Sequence, residues 1–251
     1  LHQMISSEDP APPPNTATFN SVFSAWVKSH RPEAAQHCEK LFKLMKDVPF
    51  GCEPDAVTYN TLIHSFASSA SDDDSIPDRA ESVLAEMKFR ANNGDRWLRP
   101  NNLTYGSMIS VWSRCLNRPE SGEMAEKYLR QIVTNSMQRH EKLKPRNYEF
   151  ISTIRAWKNS DDKRAPFKAD EILSLLLHEY ETKHNKQARP TSRLFELILS
   201  IISDSKYVPT KAVYASKVLE LMKKYKIPPN DALVAELGRC YRSSVNAGSI
   251  N

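Results

Sequence analysis

The sequence predicts an all-α fold, a right-handed α-solenoid of about five and a half helix–turn–helix units. Three observations predict it. Prolines recur at nearly regular spacing, the same apolar stripe follows each of them, and a second stripe follows the first at an almost constant distance.

The first helix of each unit comes from the proline ruler. Pro14, Pro54, Pro100, Pro145 and Pro190 are each followed five residues later by Phe19, Tyr59, Tyr105, Phe150 and Phe195. Four residues beyond stand Phe23, Ile63, Ile109, Ile154 and Leu199, and three further on Trp26, Phe66, Trp112, Trp157 and Ile202. Positions i, i+4 and i+7 make one face of an α-helix. Proline suits a helix start and disfavours helix for the residue before it, so it punctuates the array.

The second helix opens on a small residue, with apolar residues at +3, +4 and +7. The copies are Cys38-Leu41-Phe42-Met45, Ala80-Val83-Leu84-Met87, Ala125-Tyr128-Leu129-Ile132, Ala169-Ile172-Leu173-Leu176 and Ala215-Val218-Leu219-Met222. The small residue lies 24 to 26 positions after its proline, which predicts one rigid hairpin whose helices approach closely at that point. A half-unit starts at Pro229 and runs through Leu233, Leu237 and Tyr241.

Successive prolines are 40, 46, 45, 45 and 39 residues apart, and the extra length falls in polar segments such as 68–77, 92–99 and 159–166. Those segments read as surface loops. The expected organisation is a polar, proline-rich tail at 1–13, a repeat array at 14–243 and a second tail at 244–251, both tails disordered. A lone hairpin cannot bury its apolar face, so stability comes from stacking, which lines a concave surface.

Composition narrows the function. Net charge is +5, compatible with a polyanionic partner but no proof of one. Cys38, Cys52, Cys115 and Cys240 contain no CxxC pair, which disfavours disulfide scaffolds and zinc sites and fits a reducing compartment. No run of 18 apolar residues exists, so no membrane partner is expected. Beginning at Leu1, the chain reads as a piece of a longer precursor. The triplet Asp72-Asp73-Asp74 lacks a calcium-loop glutamate and reads as a solvated loop, and the histidines show no zinc-protease spacing. There is no phosphate loop and no nucleophile elbow, so no enzyme, cofactor or metal is expected.

The text of the first helices narrows the repeat type. Pro54-Asp55-Ala56-Val57-Thr58-Tyr59-Asn60-Thr61-Leu62-Ile63 resembles the opening of a pentatricopeptide repeat, P-D-x-V-T-Y-N-T-L-I. Asn15 to Phe23 and Asn101 to Ile109 look like the same motif, and Ala80-Glu81-Ser82-Val83-Leu84-Ala85-Glu86-Met87 is similar to that family's second helix. The resemblance runs from Pro14 to about Arg242, closest in the first three units, although the family's usual period is shorter.

The resemblance implies a non-catalytic protein that binds single-stranded RNA, one base per repeat. Two side chains would read each base, one just after the first-helix aromatic and one just after the next repeat's proline. Repeat one then offers Asn20 with Asp55, a pair the family associates with uracil, and repeat two Asn60 with Asn101, associated with cytosine or uracil. Ala17, Val57 and Leu103, three after their prolines, would sandwich the bases. Gly106 with Arg146, Ile151 with Thr191 and Glu196 with Asn230 match no such pair. Arg146 and Arg155 are candidate phosphate contacts, within a basic stretch that also reads as a solvated face. Family membership further implies a mitochondrial or plastid role in RNA processing, stability or translation. Two alternatives stay open: a scaffold for protein partners in an organellar processing or ribosomal complex, and the RNA-gripping arm of a larger enzyme such as protein-only ribonuclease P.

Overall fold

The computed structural model describes residues 14–47, 52–69, 73–116, 118–138, 144–208 and 210–248. Among them every regular element is helical: α1 (Thr16–Lys28), α2 (Ala34–Asp47), α3 (Ala56–Ser69), α4 (Ile76–Asn92), α5 (Asn102–Trp112), α6 (Ser121–Gln138), α7 (Asn147–Asn159), α8 (Ala165–Glu181), α9 (Ser192–Asp204), α10 (Lys211–Tyr225) and α11 (Asp231–Gly248). The chain forms two compact units, Leu1–Cys115 and Leu116–Asn251, so the boundary falls inside the third repeat, between α5 and α6.

The repeat is visible in where the helices start. α1, α3, α5, α7, α9 and α11 each begin two residues after their proline, which places the intervening residue at the N-cap: Asn15, Asp55, Asn101, Arg146, Thr191 and Asn230. Asparagine, aspartate and threonine are favoured there because their side-chain oxygens accept from orphan N–H groups of the first turn. In the second helices the small residue is always the fifth, and Cys38, Ala80, Ala125, Ala169 and Ala215 are all fully buried.

In unit 1, α1 packs on α3 and α3 on α5, while α2 lies against α1 and α3, and α4 against α3 and α5. Unit 2 repeats the scheme: α7 packs on α9 and α9 on α11, with α6, α8 and α10 each against the first helix that follows. The predicted stripe is the core of both units, for Phe19, Tyr59, Tyr105, Phe150 and Phe195 are all buried. A recurrent tie joins neighbours: the side chain two residues after the proline donates to the carbonyl just before the next proline, as in Thr16 to Glu53 O, Asn147 to Arg189 O and Ser192 to Pro228 O.

Tryptophan N–H groups make a second tie. Trp112 donates to Glu81 at 3.0 Å and Trp157 to Glu126 at 3.1 Å, each glutamate standing one residue after the small residue of the preceding second helix. Trp157 also fixes its neighbour: a Cβ on Gly122 would meet its ring at 2.4 Å.

Two expectations are corrected. α11 continues through Gly248, past the start of the expected tail at 244; residues 1–13 and 249–251 lie outside the described residues. In the same helix Tyr241 is exposed, and the buried residues are Leu233, Leu237 and Cys240. The buried stripe thus sits one residue earlier than in the full repeats. Val234, on the same helix, is exposed.

Candidate functional site

The first turns of α1, α3 and α5 carry the same short network. Threonine at the third helical position closes a capping box. Thr18 N donates to Asn15 Oδ1 at 3.0 Å, Thr58 N to Asp55 Oδ1 at 2.8 Å and Thr104 N to Asn101 Oδ1 at 3.1 Å. The threonine hydroxyl oxygen in turn accepts from the cap's own backbone N–H, at 3.4, 3.2 and 3.0 Å.

Between repeats, this box meets the asparagine one residue after the buried aromatic. Thr58 Oγ1 donates to Asn20 Oδ1 at 2.8 Å, and Asn20 Nδ2 donates to Asp55 Oδ1 at 3.2 Å. Thr104 Oγ1 donates to Asn60 Oδ1 at 2.7 Å. The residue pairs 20 and 55, and 60 and 101, are thus brought together by a threonine that is itself fully buried. All four pair members are half-buried, so their outer edges remain open to solvent.

The polar edges differ in kind. Among the described residues the second oxygen of Asp55 has no partner, and one N–H of Asn20 is likewise unused. Repeat one therefore presents an acceptor beside a donor. In repeat two both asparagine oxygens are taken by Thr104 and by backbone N–H groups, which leaves the two Nδ2 groups facing out as donors. Beside these edges Val57 is 55% exposed and Leu103 47% exposed, and Ala17 is exposed too. Val57 and Leu103 hold the same position in their helices, the second residue, each as an exposed apolar side chain.

The other candidates are placed differently. Gly106 is buried and Ile151 is 8% exposed, so neither offers a polar edge. The Arg146 guanidinium donates to Glu149 Oε1 at 2.9 and 2.6 Å, while its backbone N–H donates to Oε2 at 2.8 Å. Glu149 is buried and Arg146 is its counter-ion, while the guanidinium itself stays half exposed. Lys158 donates to Ser200 at 2.7 Å. His64 lies one turn beyond Asn60; desolvation, with Arg114 and His30 nearby, holds its pKa below the usual imidazole range. Asp73 binds Ser75 and Arg79 in the loop before α4, whereas Asp72 and Lys142 lie outside the described residues.

Sequence reasoning passed over Thr58 and Thr104, although a threonine four after the proline in three copies was the available signal. It also passed over Tyr148, which is 47% exposed at the same offset as Val57 and Leu103.

Residues 14–68, from the first proline to the end of α3, match the PPR repeat family. Over this segment the chain is similar to a pentatricopeptide-repeat protein. The matched segment contains α1, α2 and α3 and the whole of the first inter-repeat pair, Asn20 with Asp55. Pentatricopeptide repeats are in general RNA-binding and non-catalytic. Among curated proteins no match to the chain is found.

Proposed function

We propose that this chain is a pentatricopeptide-repeat protein that binds single-stranded RNA through unit 1 and reads successive bases with Asn20/Asp55 and Asn60/Asn101, without catalysis. The observation that carries the reading is the pair of threonine-centred networks, each next to exposed Val57 or Leu103.

The chemistry of each edge follows from its free groups. Uracil offers an N3–H donor flanked by carbonyl acceptors, which suits the free Asp55 oxygen together with an Asn20 N–H. Cytosine offers adjacent N3 and O2 acceptors, which suit the two amide donors of Asn60 and Asn101. A base whose edge is held this way lies with its faces toward Ala17, Val57 and Leu103. An organellar setting, mitochondrial or plastid, with a role in RNA processing, stability or translation, comes with the family.

The magnitude sets a requirement. Each stacked base contributes roughly 1–3 kcal/mol, so two contribute about 2–6 kcal/mol, below the ~8 kcal/mol of micromolar binding. Interactions beyond the two pairs must supply the rest.

The test is filter binding of short oligouridine and mixed uridine–cytidine strands to the full chain and to its Asn20→Ala/Asn60→Ala variant. The variant should lose both affinity and base preference. Equal binding by both proteins would sink the reading.

A further inference from the structure

The link between α4 and α5 contains a short 3-10 turn, Arg96–Leu98, entered through Gly94 at φ 128°. The link between α8 and α9 contains the same turn, Lys186–Ala188, entered through His184 at φ 50°. Backbone bonds correspond: Leu98 N to Asp95 O at 2.8 Å and Ala188 N to Asn185 O at 3.0 Å. In both turns the third residue, Leu98 or Ala188, is fully buried, and arginine follows directly before the repeat proline. The second position points to solvent in each. There one turn has Gln187 and the other has Trp97, which is 68% exposed. The turn therefore does not need an aromatic residue.

A single exposed apolar side chain is ordinary. Trp97 is set apart by its neighbours. Arg96 and Arg99 are exposed and, among the described residues, their side chains make no ion pair. Nearby arginines are closed: Arg90 binds Asp95 and Glu53, and Arg79 binds Glu39 and Asp73. Because Arg90 takes up Asp95, the acid next to the turn does not neutralise it. Phe89, on the last turn of α4, is exposed as well. The turn runs directly into Pro100, the Asn101 cap and the Leu103 wall, and six residues of chain keep Trp97 within about 20 Å of Leu103.

We infer that this turn extends the RNA surface of unit 1: Trp97 stacks one further base, and Arg96 and Arg99 hold the phosphates on either side of it. The inference rests on the RNA reading above and deepens it. Free cations flanking a bare π-face match the phosphate–base–phosphate order of a single strand. This turn supplies the additional binding that two read bases leave wanting.

Tryptophan emission reads the site directly. Trp112 and Trp157 are buried and Trp26 is half-buried and stacked on His37 with ring centroids 3.9 Å apart, so Trp97 is the most exposed of the four. Titrating the full chain with oligouridine should quench its emission, and Trp97→Gln, the residue of the sister turn, should abolish that quench and weaken binding roughly tenfold or more. The Arg96→Gln/Arg99→Gln variant should reduce the log–log salt slope by about 0.7 for each phosphate that is no longer neutralised. Thermal melts of the variants should match wild type. Suppose RNA binds, depends on Asn20 and Asn60, and is unaffected by Trp97→Gln: the shelf is then wrong and base reading stands. A wild-type chain that binds no RNA overturns both. Quenching by polyglutamate as strong as by RNA would assign the surface to acidic protein and overturn the shelf.

Discussion

The hydroxyl of Thr104, on the first turn of α5, donates to Asn60 Oδ1 of α3 at 2.7 Å. That hydroxyl has one proton and already accepts from Asn101 N at 3.0 Å, so the proton goes to the nearer acceptor and the Asn60 amide is fixed with Nδ2 outward. One buried side chain thus couples inter-repeat packing to the donor pattern of the polar edge. Replacing it by valine should strand Asn60 Oδ1 and the Asn101 N–H. We expect a stability loss of about 1–3 kcal/mol in urea unfolding and, in the surviving folded protein, a loss of discrimination at the second base. Unchanged discrimination would show that the bridge does not set the edge.

Asp55→Asn should exchange one edge for another. Asparagine caps helices as well as aspartate, so α3 persists. The first pair then matches the second, and its preference should move from uracil toward cytosine by roughly tenfold, which corresponds to about 1.4 kcal/mol. Competition between oligouridine and strands carrying a single cytidine measures it.

Gly122→Ala tests the tie between α6 and α7. In an open helix this change would gain up to about 1 kcal/mol. Here the new methyl would lie 2.4 Å from the Trp157 ring, whose indole is also held by Glu126. Overpacking of this sort costs about 1–3 kcal/mol, so the net sign should be destabilising in a denaturant melt. Because the site lies in unit 2, base preference should stay as in wild type.

Burial pushes the Cys38 thiol up to about 11, and burial together with the Glu86 carboxylate raises the Tyr59 phenol above its usual range. Both groups are neutral acids in the folded chain. Above about pH 9 the unfolded state loses the cysteine proton while the folded state keeps it, so stability should be flat below about pH 9 and fall as pH rises toward 11. The same burial should make Cys38 slow to alkylate at about pH 8 until denaturant is added. Fast native-state alkylation would contradict the packing of α2.

The repeat was legible because one residue type, proline, precedes every first helix by the same two residues, and because helix periodicity records which faces are buried. The half-repeat shows where that logic stops. Tyr241 follows the register of the full repeats in sequence, yet burial in α11 falls on Leu233, Leu237 and Cys240, since a stripe is buried only if a neighbour covers it. At the site, the sequence indicated which residues pair but not what joins them. Thr58 and Thr104 act through hydrogen bonds 38 and 44 residues away in the chain, a separation that no local pattern encodes. Arg146 illustrates the converse. Its charge suggested a phosphate partner, and the fold adds a second one, the buried carboxylate of Glu149 beside it.

The most direct measurement follows the side-chain amide resonances of Asn20, Asn60 and Asn101 by NMR while oligouridine or oligocytidine is added to the full chain. The account predicts that the Asn60 and Asn101 Nδ2 groups shift with cytidine and the Asn20 group with uridine, each saturating in step with binding. RNA binding that leaves all three resonances in place would contradict it.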